Sequence, residues 1–254
     1  MMNFLKRCVS GIEAGDFVPP VCGKLAGKFR NYFHLKPATK RTAHYQYLPT
    51  DYHPDFVIDI GAATGFTAYA ALQSFETIPV YCIEPMEQNF TVLHKSISDF
   101  QNRAVTYKMA ISDRNGDMEI NLTSSPYSNS LFELPEQYRK DNPDIMIVGK
   151  QKVRVETLDT FAHENGVKGI GLVKIDVEGA ELNVLNGGRE FLKSQVSAVI
   201  IELAFNRGVD RTNRIMEKLL EYNFMLYNVF DIYHSESSGK SLVQMDAVYL
   251  KKQA

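Results

Sequence analysis

Four short stretches hold the side chains that could do chemistry. The first is Asp59-Ile-Gly-Ala-Ala-Thr-Gly65, an acid at the end of an apolar run followed by a glycine-bearing turn. Gly61 and Gly65 let the backbone turn sharply and sit close to a ligand. The second is Glu84, 19 positions past Gly65, where a carboxylate can accept both hydroxyls of a ribose. The third is Lys174-Ile-Asp176-Val-Glu178-Gly-Ala-Glu181, and the fourth ends at Glu202. Together they read as a nucleotide-type cofactor site whose ligand is decided by size and charge. A dinucleotide loop wants three glycines so that a diphosphate can lie on the helix N-terminus. Those positions are Gly61, Ala63 and Phe66, and a phenylalanine in the third slot argues against a diphosphate. S-adenosylmethionine (SAM) instead brings an ammonium, a carboxylate and a sulfonium. Asp59 suits the ammonium, directly or through water, and free N–H groups at the following helix start suit the carboxylate. Glu84 does not discriminate, because NAD enzymes place an acid similarly.

The elements that must position these groups alternate from Phe56 onward. Apolar runs at 56–60 and 79–84 and helical stretches at 66–74 and 88–100 predict strand, helix, strand, helix. Such alternation builds a parallel sheet with helices on both faces. Residues 105–111 form the third strand, and Ser112-Asp-Arg-Asn-Gly-Asp117 is a turn leading into 118–122, which pairs with 152–155 as an added hairpin. Between them, 123–149 is rich in Ser, Asn and Pro with Tyr127, Phe132 and Tyr138 interleaved. Long excursions of this kind are functional or mobile, and this one reads as a cover over the acceptor or an ordinary polar loop. Residues 171–177 are the fourth strand, 178–193 its helix and 198–203 the fifth strand. A helix at 210–222 follows, with Ile215, Leu219 and Tyr222 on one face, and 225–230 and 242–250 pair antiparallel to complete the sheet.

These motifs, with Ile83-Glu-Pro-Met-Glu-Gln-Asn-Phe90 and Thr157-Leu-Asp159, resemble the FkbM family of SAM-dependent methyltransferases over roughly residues 55–250. Lys174-Ile-Asp-Val-Glu-Gly-Ala-Glu181 is the most specific piece. The resemblance implies an α/β, Rossmann-like class I methyltransferase: a seven-stranded, mostly parallel sheet with an antiparallel last strand, and SAM as cofactor. It also implies an O-methyltransferase acting on sugars or natural products. Ala63 stands where the general methyltransferase loop has its middle glycine, as is common in this family. The expected cofactor set is Asp59, Gly61, Ala62, Ala63, Thr64, Gly65, Glu84, Pro85, Ala110, Ile111 and Asp176. Ser130 and Glu202 are expected at the acceptor, Ser130 because family members often carry a small-polar cluster ending Ser-Leu there.

Methyl transfer needs alignment of acceptor oxygen, methyl and sulfur, and a group to take the hydroxyl proton. Asp176, ending the fourth strand beside the crevice where ligands sit in such sheets, is the first choice. Glu178 competes, but at a helix start the dipole favours its charge and makes it a poorer base, and it reads equally as a cap boxed with Glu181. Lys174 shares a strand face with Asp176. A buried lysine needs a partner, so Lys174 is expected to pair with Asp176, Glu178 or Glu202 and to organise the site. Asp176, Glu202 and Asn206 could gather Mg²⁺, but they lack metal-loop spacing, and no metal is expected. His53 and His234 read as ordinary loop residues.

At 254 residues and 44% apolar, the chain can bury a full core. We divide it into an N-terminal helical extension or lid at 1–52 and a methyltransferase domain at 53–254. Cys8, Cys22 and Cys82 sit in no metal spacing, and the sequence shows no signal-peptide or membrane-length apolar run, so a reducing cytoplasm is the expected home. The first fifty residues hold eight Lys/Arg against two Asp/Glu, net +6, and the rest twenty against twenty-eight, net −8. A basic arm docked on an acidic body explains this, as does steering of a phosphate- or nucleotide-linked acceptor. Nucleic acid is not expected, since no basic-aromatic stripe enters the core. A SAM-binding partner or sensor without catalysis, and a NAD-linked oxidoreductase, are the alternatives. Phe66 and the antiparallel tail speak against the oxidoreductase.

Overall fold

A computed structural model describes residue 41 and residues 43–125, 129–235 and 239–252. The basic residues 1–40, with Cys8 and Cys22, lie outside the described residues, as does Tyr127.

The apolar runs become the central strands, and their burial explains their composition. β1 (Val57–Ile60), β2 (Val80–Ile83) and β7 (Gly171–Ile175) are covered on both faces, so they read as nearly continuous apolar runs, interrupted in β1 by Asp59 and in β7 by Lys174. They join β3 (Ala104–Tyr107), β8 (Val196–Ala204), β9 (Phe224–His234) and β10 (Leu242–Lys251) in one seven-stranded sheet of order β3-β2-β1-β7-β8-β10-β9. The pairings among β1, β2, β3, β7 and β8 are parallel, and β10 runs antiparallel to both β8 and β9. The fold is therefore α/β with the expected mostly parallel sheet and antiparallel last strand.

Register decides what each face carries. Ile58, Ile60, Val173, Ile175, Val199, Ile201 and Leu203 point to one face and form the main core. Against them pack α4 (Leu158–Glu164), α5 (Glu181–Gly187), α6 (Arg189–Gln195) and α7 (Val209–Glu221) through Leu158, Phe161, Val184, Leu185, Leu192, Ile215 and Leu219. The alternate residues point the other way. Asp59 is opposite Cys82 on one side and Lys174 on the other, and Glu202 is opposite Asp246. This second face, bearing a row of ionisable groups, is covered by α1 (Phe66–Ser74), whose Thr67 bonds Asp59, and by α2 (Glu87–Ser96), whose His94 reaches Thr106 of β3.

Several boundaries differ from the sequence reading. The expected third strand breaks at Lys108 and Met109: β3 stays in the main sheet, and β4 (Ala110–Ser112) leaves to pair with β6 (Ile147–Thr157). With β5 (Gly116–Thr123) antiparallel to β6, as the hairpin reading required, a separate three-stranded sheet results. The single helix expected over 178–193 is two, starting at Glu181 and broken at Gly188. A Cβ on Gly187 would lie 2.0 Å from the Ser112 carbonyl oxygen, and one on Gly188 would lie 2.7 Å from Leu158. The glycine pair is there for close packing. The excursion carries its own short helix, α3 (Glu136–Asp141).

The segment from Arg41 to Tyr52, placed in the extension by sequence, packs into the body. Tyr45, in a 3₁₀ turn at Ala43–Tyr47, has no solvent exposure and stands edge-on to Phe75 at the end of α1. Tyr47 stacks on Phe230 at 4.1 Å, and the Tyr52 hydroxyl reaches Ser197 at 2.9 Å.

Candidate active site at the ends of the parallel strands

The loop after β1 is held by backbone geometry that few residues tolerate. Gly61 has φ +80°, and a Cβ there would meet the Asp176 carbonyl oxygen at 1.9 Å, so this glycine serves the close approach of β1 to the end of β7. Ala63 also takes a left-handed φ of +47°, a conformation disfavoured by about 1–2 kcal/mol for a non-glycine residue. Its N–H donates to Glu84 Oε2 at 3.0 Å, and the Met86 N–H donates to Oε1 at 2.9 Å. Burial pushes the Glu84 carboxyl up, opposed by the Met86 and Ala63 N–H groups. The Asn89 side chain bonds the same carboxylate, so three of its four lone-pair sites are engaged within the protein and one is left to accept from a ribose hydroxyl of SAM.

The other expected cofactor contacts are arranged differently. The N–H groups of Gly61, Ala62, Ala63 and Gly65 all have acceptors within the protein, so these four are not free for a ligand carboxylate. The Thr64 carbonyl accepts from Ser96 Oγ at 3.0 Å. Asp59 is wholly enclosed: Thr67 Oγ1 donates to Oδ2 at 2.6 Å, and Lys174 Nζ stands 3.3 Å from Oδ1, a close ion pair without hydrogen-bond alignment. So enclosed, it offers a ligand ammonium no direct contact. Pro85 is half-buried beside Glu84, and Ala110 packs with Met86, Ile120 and Val153 beneath it. Ile111 turns into the main core, a consequence of β4 leaving the sheet.

Lys174 is the hub of the site. Besides Asp59 it faces Asp176 Oδ2 at 3.4 Å and donates to the Gly61 carbonyl at 3.2 Å. Burial alone would lower its proton affinity, yet Asp59 and Asp176 outweigh burial and hold it firmly protonated. The pairing with Asp176 was expected; Asp59 was not, because only the β1–β7 register makes Asp59 and Lys174 cross-strand neighbours. Of the two carboxylates, Asp176 alone reaches solvent, with 30% of its side chain exposed.

Glu178 corrects the sequence reading. It lies three residues before α5, with φ +54°, so it is not a helix-start residue. Its carboxylate pairs with Arg207. The expected capping box is absent, and Glu181 instead braces the turn before the helix: its Oε1 accepts from the N–H groups of Gly179 at 2.9 Å and Val177 at 3.4 Å. Ser130 is buried and donates to the Glu178 carbonyl at 2.6 Å, so it braces the turn and does not present its hydroxyl to an acceptor. Glu202 is buried, with Gln244 Nε2 at 3.0 Å. One oxygen from each of Asp176, Glu178 and Glu202 lies within 4.8 Å of the others, and the buried cations Lys174 and Arg207 stand against this acidic group. Asn206 bonds Asp141 at 3.3 Å.

Arg207 was missed. The signal was present in Asn206-Arg207-Gly208, a charged residue and a glycine five and six positions past Glu202 in the turn that leaves the crevice. A cavity of about 350 Å³ lined by Asp159, His163, Glu190 and Gln195 opens elsewhere, beside the loop entering β7 and so at the far end of that strand from Asp176. Asp159 there accepts from the Phe191 N–H at 2.8 Å and caps α6.

Known proteins resemble this chain in sequence and in fold. The methyltransferase FkbM domain model matches residues 59–226. The 2-O-methyltransferase NoeI of Sinorhizobium fredii (strain NBRC 101917 / NGR234) is 28% identical over 164 residues, 62% of this chain and 67% of that one. Among solved structures, methyltransferase FkbM from Methylobacillus flagellatus KT aligns with TM-score 0.47 and 15% identity, over 78% of this chain and 43% of that one. Aeropyrum pernix fibrillarin with natively bound SAM aligns with TM-score 0.42 and 14% identity, over 77% of this chain and 66% of that one. The chain thus spans less than half the length of the first of these structures. With the family model covering the loop after β1, the Glu84 turn, the β7 motif and the Glu202 strand end, the chain belongs to the FkbM methyltransferase family.

Proposed function

We propose that the chain is a SAM-dependent O-methyltransferase acting on a hydroxyl of a sugar, glycan or natural-product small molecule. SAM, when bound, supplies a methyl on a positively charged sulfur that leaves as a neutral thioether. Glu84 accepts from its ribose, and the loop after β1 sets the distance between cofactor and strand ends. Asp176 receives the acceptor's hydroxyl proton as the new carbon–oxygen bond forms. The observation that carries this reading is the Asp59–Lys174–Asp176 group, in which one lysine fixes two carboxylates and only Asp176 opens to solvent. A hydroxyl becomes strongly acidic once its oxygen bonds the methyl, so a carboxylate held in place is sufficient. Glu178, with its charge committed to Arg207, is the weaker candidate. The name of NoeI, a 2-O-methyltransferase, supports oxygen as the acceptor atom.

The test is incubation of the chain with methyl-labelled SAM and a panel of sugar nucleotides, lipid-linked glycans and free glycosides, with product identification by NMR. A methyl ether is expected. Asp176→Asn, which keeps shape and loses charge, should lower transfer by roughly 10²- to 10⁴-fold while retaining SAM binding. Inactivity of Glu178→Gln alone would reverse the assignment. Methylation of nitrogen or carbon would overturn the reading.

A further inference from the structure

Three segments distant in sequence meet beyond the ends of β7 and β8, and one side chain joins them. Glu178 keeps its left-handed φ of +54°, which a non-glycine residue holds only where its surroundings impose it. Two donors converge on its carbonyl oxygen: Ser130 Oγ at 2.6 Å and Arg207 Nη1 at 2.8 Å. The other amino group of Arg207 pairs with the Glu178 carboxylate, and the guanidinium lies over the Tyr138 ring of α3, 4.0 Å from its centroid. Arg207 itself belongs to the 3₁₀ turn Phe205–Arg207 after β8. A Cβ on Gly179 would come within 3.3 Å of Arg207 and 3.6 Å of Ser130, so the turn is closely packed. Asp141, at the end of α3, ties the same excursion to Asn206 at 3.3 Å and to Ser235 at 2.9 Å. With 4% of its side chain exposed, Arg207 is enclosed and does not face an acceptor.

We propose that Arg207 is a positioning residue for the transfer: it holds the Glu178 turn and the 129–141 part of the excursion as one unit, and so fixes where the acceptor lies relative to Asp176. This inference rests on the reading of Asp176 as proton acceptor. Guanidinium chemistry is required because a planar fork serves the carbonyl and the carboxylate together while stacking on Tyr138, which a lysine ammonium cannot do.

The test compares full-length parent, Arg207→Met, Arg207→Lys and Ser130→Ala by hydrogen exchange, SAM titration and transfer kinetics on the acceptor that the panel yields. In Arg207→Met, exchange should quicken at least tenfold in both 129–141 and 176–181, with β1 and β7 unchanged and SAM affinity within threefold. Acceptor KM should rise at least tenfold, with a smaller fall in kcat, and Arg207→Lys should recover only part of that loss. Ser130→Ala, which removes one hydroxyl, should shift the same two segments less; it keeps the test open if Arg207→Met does not fold. Unchanged exchange in either segment, or changed exchange with an unchanged acceptor KM, overturns the proposal. If the parent methylates nothing, the functional reading falls, and exchange alone still decides whether Arg207 joins the segments.

Discussion

Removing the Lys174 charge should damage the fold in a way that a second substitution repairs. Lys174→Met leaves a similar volume but takes away the cation 3.3 Å from Asp59 and 3.4 Å from Asp176. Asp59 has no exposure through which water could compensate, and breaking a buried pair in this way costs about 3–5 kcal/mol. For a domain of this size that is a fall in Tm of about 6–20 °C. Lys174→Met/Asp59→Asn should recover more than half of the loss, because the amide needs no counterion, while Asp176 is hydrated at the surface. The pH dependence has a definite sign. Lys174 is raised in the folded state, so its contribution is complete below the unfolded lysine value and is lost only as pH rises through the folded one; between pH 6 and 8 it is constant. Urea denaturation without SAM, followed by circular dichroism from pH 5 to 8, measures all of this. A loss under about 1 kcal/mol, or no recovery in the double variant, would refute the reasoning.

Glu84→Ala should weaken SAM binding by about 1.5–3 kcal/mol, through loss of a charge-assisted bond to the ribose, and should also lower the denaturation midpoint, because the Ala63 and Met86 N–H groups lose their acceptor. Calorimetry and urea melts read the two effects separately. Gly61→Ala should prevent SAM binding or folding, since its Cβ would stand 1.9 Å from the Asp176 carbonyl, whereas Ala63→Gly should be close to neutral, relief of strain at φ +47° being offset by greater unfolded-chain freedom of about 0.4–1 kcal/mol. Lys251 is lowered to about 8 by burial and by Lys193; between that value and the usual 10.5 the unfolded chain holds the extra proton, so stability should rise with pH there. Lys251→Met should remove that rise, as denaturation midpoints across pH 8–10.5 will show.

The strands were legible because burial on both faces leaves an unmistakable apolar run, as in Phe56–Ile60 and Gly171–Ile175, and α7 was legible from Ile215, Leu219 and Tyr222 on one face. What local pattern could not supply was register and contact across the chain. Nothing near Asp59 in the sequence says that Lys174 stands opposite it. Gly187 and Gly188 interrupt the single helix that the sequence predicts over 178–193, and the reason for the interruption lies in Ser112 and Leu158. The departure of β4 from the sheet turned the Ile111 side chain into the main core, and the Ser130 hydroxyl proved to brace the Glu178 turn. The motif resemblance begins near residue 55, whereas the packing of the body begins by Arg41, because Tyr45 and Tyr52 bury themselves through contacts that no short motif records.

Calorimetric titration of the purified chain with SAM, with its demethylated product and with NAD tests the central claim most directly. The account predicts micromolar binding of the first two, lost together in Glu84→Ala, and no heat from NAD, since the Asp59–Gly65 loop engages its own N–H groups and offers no glycine in the third diphosphate position. Tight NAD binding with no response to SAM would contradict it.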